Sequence, residues 1–354
     1  MPQKIKVAIA GVGNCASSLI QGCAYYNKTS GSDVGLLHHK FGAYEIGDIE
    51  FVAAFDVDRR KVGKDLATAI MTEPNCIKTI HKVNKMGVVV KKGPVLDGVA
   101  EHMKQTFLVD EKQVKCNVNT ELRCSGADML ICYLPVGSAK AARFYAQAAL
   151  NANIGFINAI PEFICSDSRW IRRFKEKRLP CAGDDIKSQI GATIIHRALS
   201  RLIEDRGQII DSTFQLNVGG NSDFENMLDK DRLLSKRKSK TQALTSILDH
   251  KLTNVRIGPS DYISHLKDNK ICYINIKGRQ FGNIPFELDL KLSVEDSPNS
   301  VGIMVDVIRA MKIALDNKES GHLEEISSLM FKSPKKQLRD DVARKLVKKK
   351  YQLA

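Results

Sequence analysis

A glycine turn directly after the first apolar segment constrains the fold more than any other feature of this chain. Ile5 to Ala10 reads as a buried strand, Gly11-Val12-Gly13-Asn14-Cys15-Ala16 follows it, and Asn14 to Tyr26 reads as a helix. A Gly-x-Gly-x-x-Ala pattern between strand and helix is typical of a dinucleotide-binding turn. The alternative is a tight turn that binds nothing.

Each small residue has a role in such a turn. Gly11 permits the tight bend, Gly13 lets the backbone approach a pyrophosphate at the helix N-terminus, and Ala16 allows close helix–strand packing. We therefore predict cofactor contacts from the turn. The residues concerned are Gly11, Gly13, Asn14, Cys15 and Ala16.

A second apolar strand, Ile49 to Phe55, ends at Asp56. An acid at this place accepts the ribose hydroxyls of NAD and favours NAD over NADP. Its distance from the turn exceeds the usual spacing because residues 28–48 form a long connection. The alternative for Asp56 is a helix cap, although Asp58 is better placed to cap a helix running to about Ile70.

Strands and helices then alternate along the first half of the chain, which predicts a doubly wound parallel sheet of Rossmann type. The later predicted strands are Met129–Leu134, Ile154–Ala159 and Pro180–Ala182, and the helices are Ser138–Asn151 and Trp170–Lys177.

The pattern changes after Asp185, where strands succeed one another without helices between them. This predicts an inserted α+β domain with a mostly antiparallel sheet. We predict a Rossmann-like domain of residues 1–187 and 297–354 and an inserted domain of residues 188–296. The predicted elements are helix Ser188–Arg206, strands Ile209–Val218, Ile271–Ile276 and Phe286–Val294, and helices Asn299–Leu315, Leu323–Met330 and Gln337–Lys349.

The composition further limits the class of protein to which this chain can belong. A hydrophobic content of 43% over 354 residues supports a sizeable core. The sequence has no apolar run long enough for a membrane span and no signal peptide, which predicts a cytoplasmic protein. The nine cysteines lack zinc-like spacing, so reduced thiols are expected.

Half of the net charge of +14 lies at the C-terminal end. Residues 331–354 hold nine Lys or Arg and two Asp, which gives +7. A solvated helix end explains Lys348-Lys349-Lys350, since cations there favour the helix dipole. Nucleic-acid binding is the alternative, but the segment lacks the motifs of such proteins.

Polar clusters in the second half point to an anionic substrate. Lys236 and Lys240 share one side of a helix, where they either bind an anion or form a solvated face. A lysine near other cations can act as a base or polarise a carbonyl group. The segment Gly183 to Ser188 leads into a helix and either binds phosphate or caps that helix. Lys270, Asp296 and Lys332 are weaker candidates on spacing alone.

Seven segments in this order resemble the shorter prokaryotic form of myo-inositol-phosphate synthase. They are Gly11–Ser18, Phe55–Asp58, Tyr133–Ser138, Gly183–Ser188, Leu216–Asp223, Ser235–Lys240 and Val294–Ser300. The resemblance implies NAD-dependent conversion of D-glucose 6-phosphate to myo-inositol phosphate by oxidation at C5, enolisation, intramolecular aldol closure and re-reduction. It also implies a homotetramer formed through the inserted sheet, and it leaves any cation requirement open.

The resemblance assigns the site residues by motif. Its catalytic residues are Lys236, Lys240, Lys270, Lys332, Asp185, Asp223 and Asp296, and its polar substrate contacts are Ser188, Asn217 and Asn221. Beyond the glycine turn and Asp56, the implied cofactor contacts are Asp65, Pro135, Gly137, Ser138, Tyr145, Asp185, Ser188, Asp223 and Lys236.

Two other functions compete with this one. An NAD-dependent dehydrogenase with net redox on a phosphorylated or acidic small molecule would use the same dinucleotide turn. A non-enzymatic NAD-sensing or nucleic-acid-binding protein would use the basic tail. The internal lysine and carboxylate motifs favour the isomerase, and we expect neither a membrane nor a nucleic acid as partner.

Overall fold

The computed structural model describes residues 4–28, 33–229, 232, 234–248, 250 and 252–353, without the side chains of 234–237. Its larger sheet has seven parallel strands in the order β13-β8-β7-β6-β1-β4-β5. The strands are β1 (Ile5–Ala10), β4 (Ile49–Asp56), β5 (Val90–Lys92), β6 (Met129–Cys132), β7 (Gly155–Asn158), β8 (Pro180–Gly183) and β13 (Gly321–His322). The predicted Rossmann-like sheet is confirmed.

The central strand β1 explains the layered packing. Ile5, Val7 and Ile9 face one core, whereas Ala8 and Ala10 face the other, as strand alternation requires. The first core is covered by α1 (Asn14–Lys28), α9 (Asp296–Asp316) and α10 (Glu324–Met330). The second is covered by α3 (Val118–Ser125), α4 (Ala139–Ala152) and α5 (Ser168–Glu176).

A separate four-stranded sheet has the order β10-β9-β11-β12. Its strands are β9 (Ile209–Gly219), β10 (Asn254–Tyr262), β11 (Asn269–Arg279) and β12 (Pro285–Glu295). The β9–β11 and β11–β12 pairs are antiparallel and β10 runs parallel to β9, so the mostly antiparallel sheet is confirmed. The helices of this region are α6 (Ala192–Asp205), α7 (Ser222–Asn226) and α8 (Leu234–Thr245). The proposed domain boundaries stay a prediction.

One predicted helix was wrong, and one strand of the second sheet was not predicted. The helix expected from Asp58 to Ile70 is reduced to α2 (Leu66–Ala69), whose cap is Asp65. Asp58 is instead fully buried and forms an ion pair with Arg60. The strand β10 was absent from the prediction because its sequence, with Gly258 and Pro259 at its centre, lacks a continuous apolar pattern. The long connection contains a small hairpin of β2 (Lys40–Phe41) and β3 (Tyr44–Glu45).

The C-terminal helix α11 (Asp340–Tyr351) is anchored at its first residue. Asp340 accepts hydrogen bonds from Lys187 at 3.1 Å and Arg197 at 2.7 Å, and both cations are almost fully buried. The basic tail is therefore a docked helix whose cations lie on its outer side. Across the described ranges, no helix is both long and apolar enough to cross a bilayer.

Candidate active site

The glycine turn lies at the carboxyl edge of the large sheet, where β1 adjoins β6 and the chain order reverses. Such a switch point is where open α/β sheets bind ligands. Gly11 has a φ of +95°, and a Cβ on it would lie 2.6 Å from the carbonyl oxygen of Tyr133, so only glycine fits. A Cβ on Gly13 would meet no atom within 4 Å. The backbone at Gly13 is therefore open to a ligand.

Asp56 holds the turn as well as facing the cleft. One carboxylate oxygen accepts the amide of Val12 at 2.8 Å, and the other accepts the amides of Val57 and Asp58. A carboxylate has about four acceptor positions, so Asp56 retains capacity for a ribose hydroxyl. Asp65 accepts three backbone amides around α2 and does not line this cleft. Its position gives no support to a cofactor contact.

Arg232, which lies between α7 and α8, covers residues 136–138 of the segment after β6. Arg232 donates to the carbonyl of Val136 at 3.0 Å and to the hydroxyl of Ser138 at 3.3 Å, and its side chain packs on Gly137. Gly137 and Ser138 do not line the cleft, whereas Pro135 and the buried Tyr145 do.

One continuous cleft runs from the glycine turn to the lysines of the second half. The predicted site residues that line it are Gly11, Gly13, Asn14, Cys15, Asp56, Pro135, Tyr145, Asp185, Ser188, Asn221, Asp223, Lys240, Lys270, Asp296 and Lys332. Ala16 is buried in the packing of α1, and the side chain of Lys236 lies outside the described residues.

Lys332 and Asp185 form one ion pair of the cleft. Lys332 Nζ lies 2.8 Å from Asp185 Oδ1 and also donates to the carbonyl of Ile186. The other oxygen of Asp185 accepts the hydroxyl of Ser239 at 2.6 Å, from the helix that carries Lys240. Asp185 therefore joins the strand end of the large sheet, α8 and the segment after α10.

Lys270 and Asp296 form a second ion pair, with 2.8 Å between Nζ and Oδ1. Burial alone would lower the pKa of Lys270, but the charge and hydrogen bond of Asp296 outweigh burial, so the pKa is raised. Lys270 is thus a full cation at neutral pH. The site can place fixed positive charge where a substrate oxygen becomes negative.

Asp268, which no sequence pattern indicated, lies next to this pair, and its backbone carbonyl accepts the amide of Asp296 at 2.9 Å. Asp268 accepts hydrogen bonds from Asn221 Nδ2 at 3.0 Å and from both the amide and hydroxyl of Ser297. Burial, with the nearby charge of Asp296, raises the pKa of Asp268 to about 6. Its contacts connect residues far apart in sequence, so no local pattern indicates its role.

Asn221 and Asn217 have different surroundings. Asn221 caps α7 through its side-chain oxygen and lines the cleft. Asn217 is fully buried and donates to the carbonyl of Gly258 at 2.8 Å, so it holds β10 against β9 and does not line the cleft.

Cys15 is a partly buried residue that lies next to Ser300, and burial of its thiol raises the thiol pKa to about 12, so it stays protonated. The described residues contain no cluster of three or more His, Cys, Asp or Glu side chains suited to a metal ion.

The fold and the cleft define a class of protein, namely a Rossmann-like α/β protein whose glycine turn shares one cleft with lysines and carboxylates from the second half of the chain. Comparison with known proteins specifies the family. Residues 191–297 match the family described as Myo-inositol-1-phosphate synthase. The chain is 53% identical to the inositol-3-phosphate synthase of Corynebacterium glutamicum over 350 residues, which cover 96% of each chain.

Solved structures agree in fold. The crystal structure of Ari2 is 31% identical with a TM-score of 0.79, covering 99% of this chain and 100% of Ari2. The inositol-3-phosphate synthase of Caenorhabditis elegans has a TM-score of 0.79 at 14% identity, covering 100% of this chain and 86% of the other. This chain belongs to the inositol-3-phosphate synthase family of enzymes. The resemblance inferred from its motifs is confirmed.

Proposed function

We propose that the protein cyclises D-glucose 6-phosphate to myo-inositol phosphate with NAD as a bound cofactor. The observation that carries this proposal is the shared cleft: the glycine turn, Lys240, Lys270, Lys332 and their carboxylates line one continuous space. A cofactor on the turn and a phosphorylated substrate among the lysines would therefore lie next to each other.

The residues of the turn fit the proposed cofactor. The open backbone at Gly13 and the N-terminus of α1 suit a pyrophosphate, and Asp56 suits a ribose hydroxyl. When bound, NAD would accept a hydride from C5 of the open-chain sugar and later return it. Asn14 supports this end by accepting the amide of Cys76 at 2.9 Å, which fixes the start of α1.

The lysines supply positive charge to the substrate. Loss of a C6 proton leaves an enolate, and attack on the C1 aldehyde leaves an alkoxide, so negative charge develops on two oxygens. We assign Lys236 and Lys332 to these oxygens, and Ser188, Lys240 and Lys270 to the phosphate. Fixed cations in a water-poor cleft stabilise such charge strongly.

The carboxylates hold two of these lysines in place through ion pairs. Asp185 bonds Lys332 and Asp296 bonds Lys270, while Asp223 lines the same cleft. We propose that these three carboxylates also relay the protons that move between carbon and oxygen.

The deciding experiment incubates the purified protein with glucose 6-phosphate and NAD. Products are followed by phosphorus and proton NMR while absorbance reports NADH. Inositol phosphate without NADH build-up supports the proposal. NADH rising with an oxidised sugar would indicate a dehydrogenase instead. A parallel series with added monovalent and divalent cations tests the cation requirement.

We also propose that the protein is a homotetramer that assembles through the outer face of the inserted sheet. Phe214, Leu216 and Tyr273 lie on this face, about two-fifths exposed, with Tyr273 directly opposite Leu216. Large apolar side chains grouped on a sheet face mark an interaction surface. Light scattering of the Leu216→Lys variant should give a smaller particle than the wild type.

A cytoplasmic location is supported by the nine cysteines, which are all free thiols.

A further inference from the structure

Lys61 is a buried cation beside the glycine turn that no motif of the sequence indicates. Its side chain is only 1% exposed, yet the residue lines the cleft. Its ammonium group donates to the carbonyl of Val12 and to Asn75 Oδ1, each at 2.8 Å. Since an ammonium group has three donors, one remains after these two bonds.

Lys61 and its neighbours fix both polar groups of Val12. The carbonyl accepts from Lys61 and from Asn75 Nδ2 at 3.1 Å, and the amide donates to Asp56 at 2.8 Å. A trans peptide is planar, so the amide of Gly13 points away from the carbonyl of Val12. By holding that carbonyl, Lys61 sets the direction of the amide at Gly13, the residue where the turn is open.

The charge of Lys61 also lacks a close counter-charge among the described residues. Asp58 is paired with Arg60 at 2.5 Å, and the oxygens of Asp56 accept backbone amides. Burial lowers the pKa of Lys61, and the charges of Asp56 and Asp58 partly offset this. A buried cation with a spare donor, lining a cleft, is stabilised when an anion binds nearby.

We propose that Lys61 is a positioning residue for the cofactor: it orients the Val12–Gly13 peptide toward the pyrophosphate and provides buried positive charge that the pyrophosphate balances. This inference rests on the proposed function, since it needs NAD on the glycine turn. It concerns binding of the cofactor and not the chemistry at the sugar.

The test compares Lys61→Met with Lys92→Met. Lys92 is also buried and donates to two backbone carbonyls, those of Asp110 and Gln113, but it does not line the cleft. Titration calorimetry measures the affinity of each full-length variant for NAD and for ADP-ribose, which has the pyrophosphate but not the nicotinamide. Loss of a charged donor from a buried acceptor predicts that K61M binds both ligands about tenfold more weakly or worse.

We expect K92M to lose stability but to keep the NAD affinity of the wild type, and K61M to raise the KM for NAD with a nearly unchanged kcat. K61M with wild-type affinity, or an equal loss in K92M, would overturn the inference. If K61M does not fold, the Asn75→Leu variant tests the inference in its place. It removes the second donor to Val12 and should weaken ADP-ribose binding about fivefold, and unchanged binding would overturn the inference. A wild-type protein that binds no NAD would refute the proposed function itself.

Discussion

Lys332 Nζ lies 2.8 Å from Asp185 Oδ1. This contact joins two segments 147 residues apart at the carboxyl edge of the large sheet. The two are also paired through their backbones, since the amide of Lys332 donates to the carbonyl of Asp185 at 2.7 Å. The lysine is therefore positioned by main chain and side chain together, which its proposed role in stabilising charge requires.

Replacing this lysine should remove turnover and leave cofactor binding intact. In Lys332→Met the site loses a preorganised cation, which predicts a kcat lower by about 10²–10³-fold. Steady-state kinetics and NAD titration measure the two effects. The matched control is Lys335→Met, an exposed lysine whose ammonium bonds Ser168. Wild-type turnover in K332M, or an equal loss in K335M, would contradict the assigned role.

The helix that carries Lys240 offers a second paired test. Lys236→Ala should keep NAD binding and lose turnover, because the lost ammonium is assigned to a reacting oxygen. Lys238, on the same helix, is exposed and lies over the ring of Phe163, outside the cleft lining. Lys238→Ala should therefore turn over normally. Full activity in K236A would rule out its proposed role.

The sequence predicted the parts of this site that depend on local pattern. The glycine turn can be recognised from residues that are adjacent in sequence, and a strand from a few consecutive apolar residues. Both were therefore predicted correctly. Lys61 and Asp268 were missed because their bonding partners are distant in sequence, up to 49 residues away for Lys61 and up to 47 for Asp268. The prediction of Asp58 as a helix cap failed for a related reason: burial of Asp58 against Arg60 is a tertiary effect that outweighs local capping preference, and the short helix is capped by Asp65.

The buried carboxyl of Asp268 predicts a pH-dependent stability. Its pKa is about 6 in the folded protein and about 3.9 in an unfolded chain, so the folded state binds more protons between these values. Stability linked to this group therefore falls as pH rises from about 4 to 6 and is constant above. Urea unfolding of the wild type and Asp268→Asn at pH 5, 6 and 7 measures the difference. The free energy of unfolding of the variant should lack this dependence on pH. If it changes with pH in parallel with that of the wild type, Asp268 has an ordinary pKa.

The two glycines of the turn should respond differently to the same substitution. Gly11→Ala places a Cβ 2.6 Å from the Tyr133 carbonyl at a positive φ, so it should unfold more readily. Strain and clash together predict a loss of about 2 kcal/mol or more. A Cβ on Gly13 meets no protein atom within 4 Å, so Gly13→Ala should keep the stability of the wild type.

The same methyl group on Gly13 should nevertheless weaken NAD binding, because it occupies the space into which the pyrophosphate must fit. Thermal unfolding without NAD and calorimetric titration with NAD separate the two effects. We expect G13A to match the wild type in the first measurement and to bind NAD at least about tenfold more weakly in the second. If G13A binds NAD normally, the cofactor does not approach the backbone at Gly13, and the open space there serves another ligand.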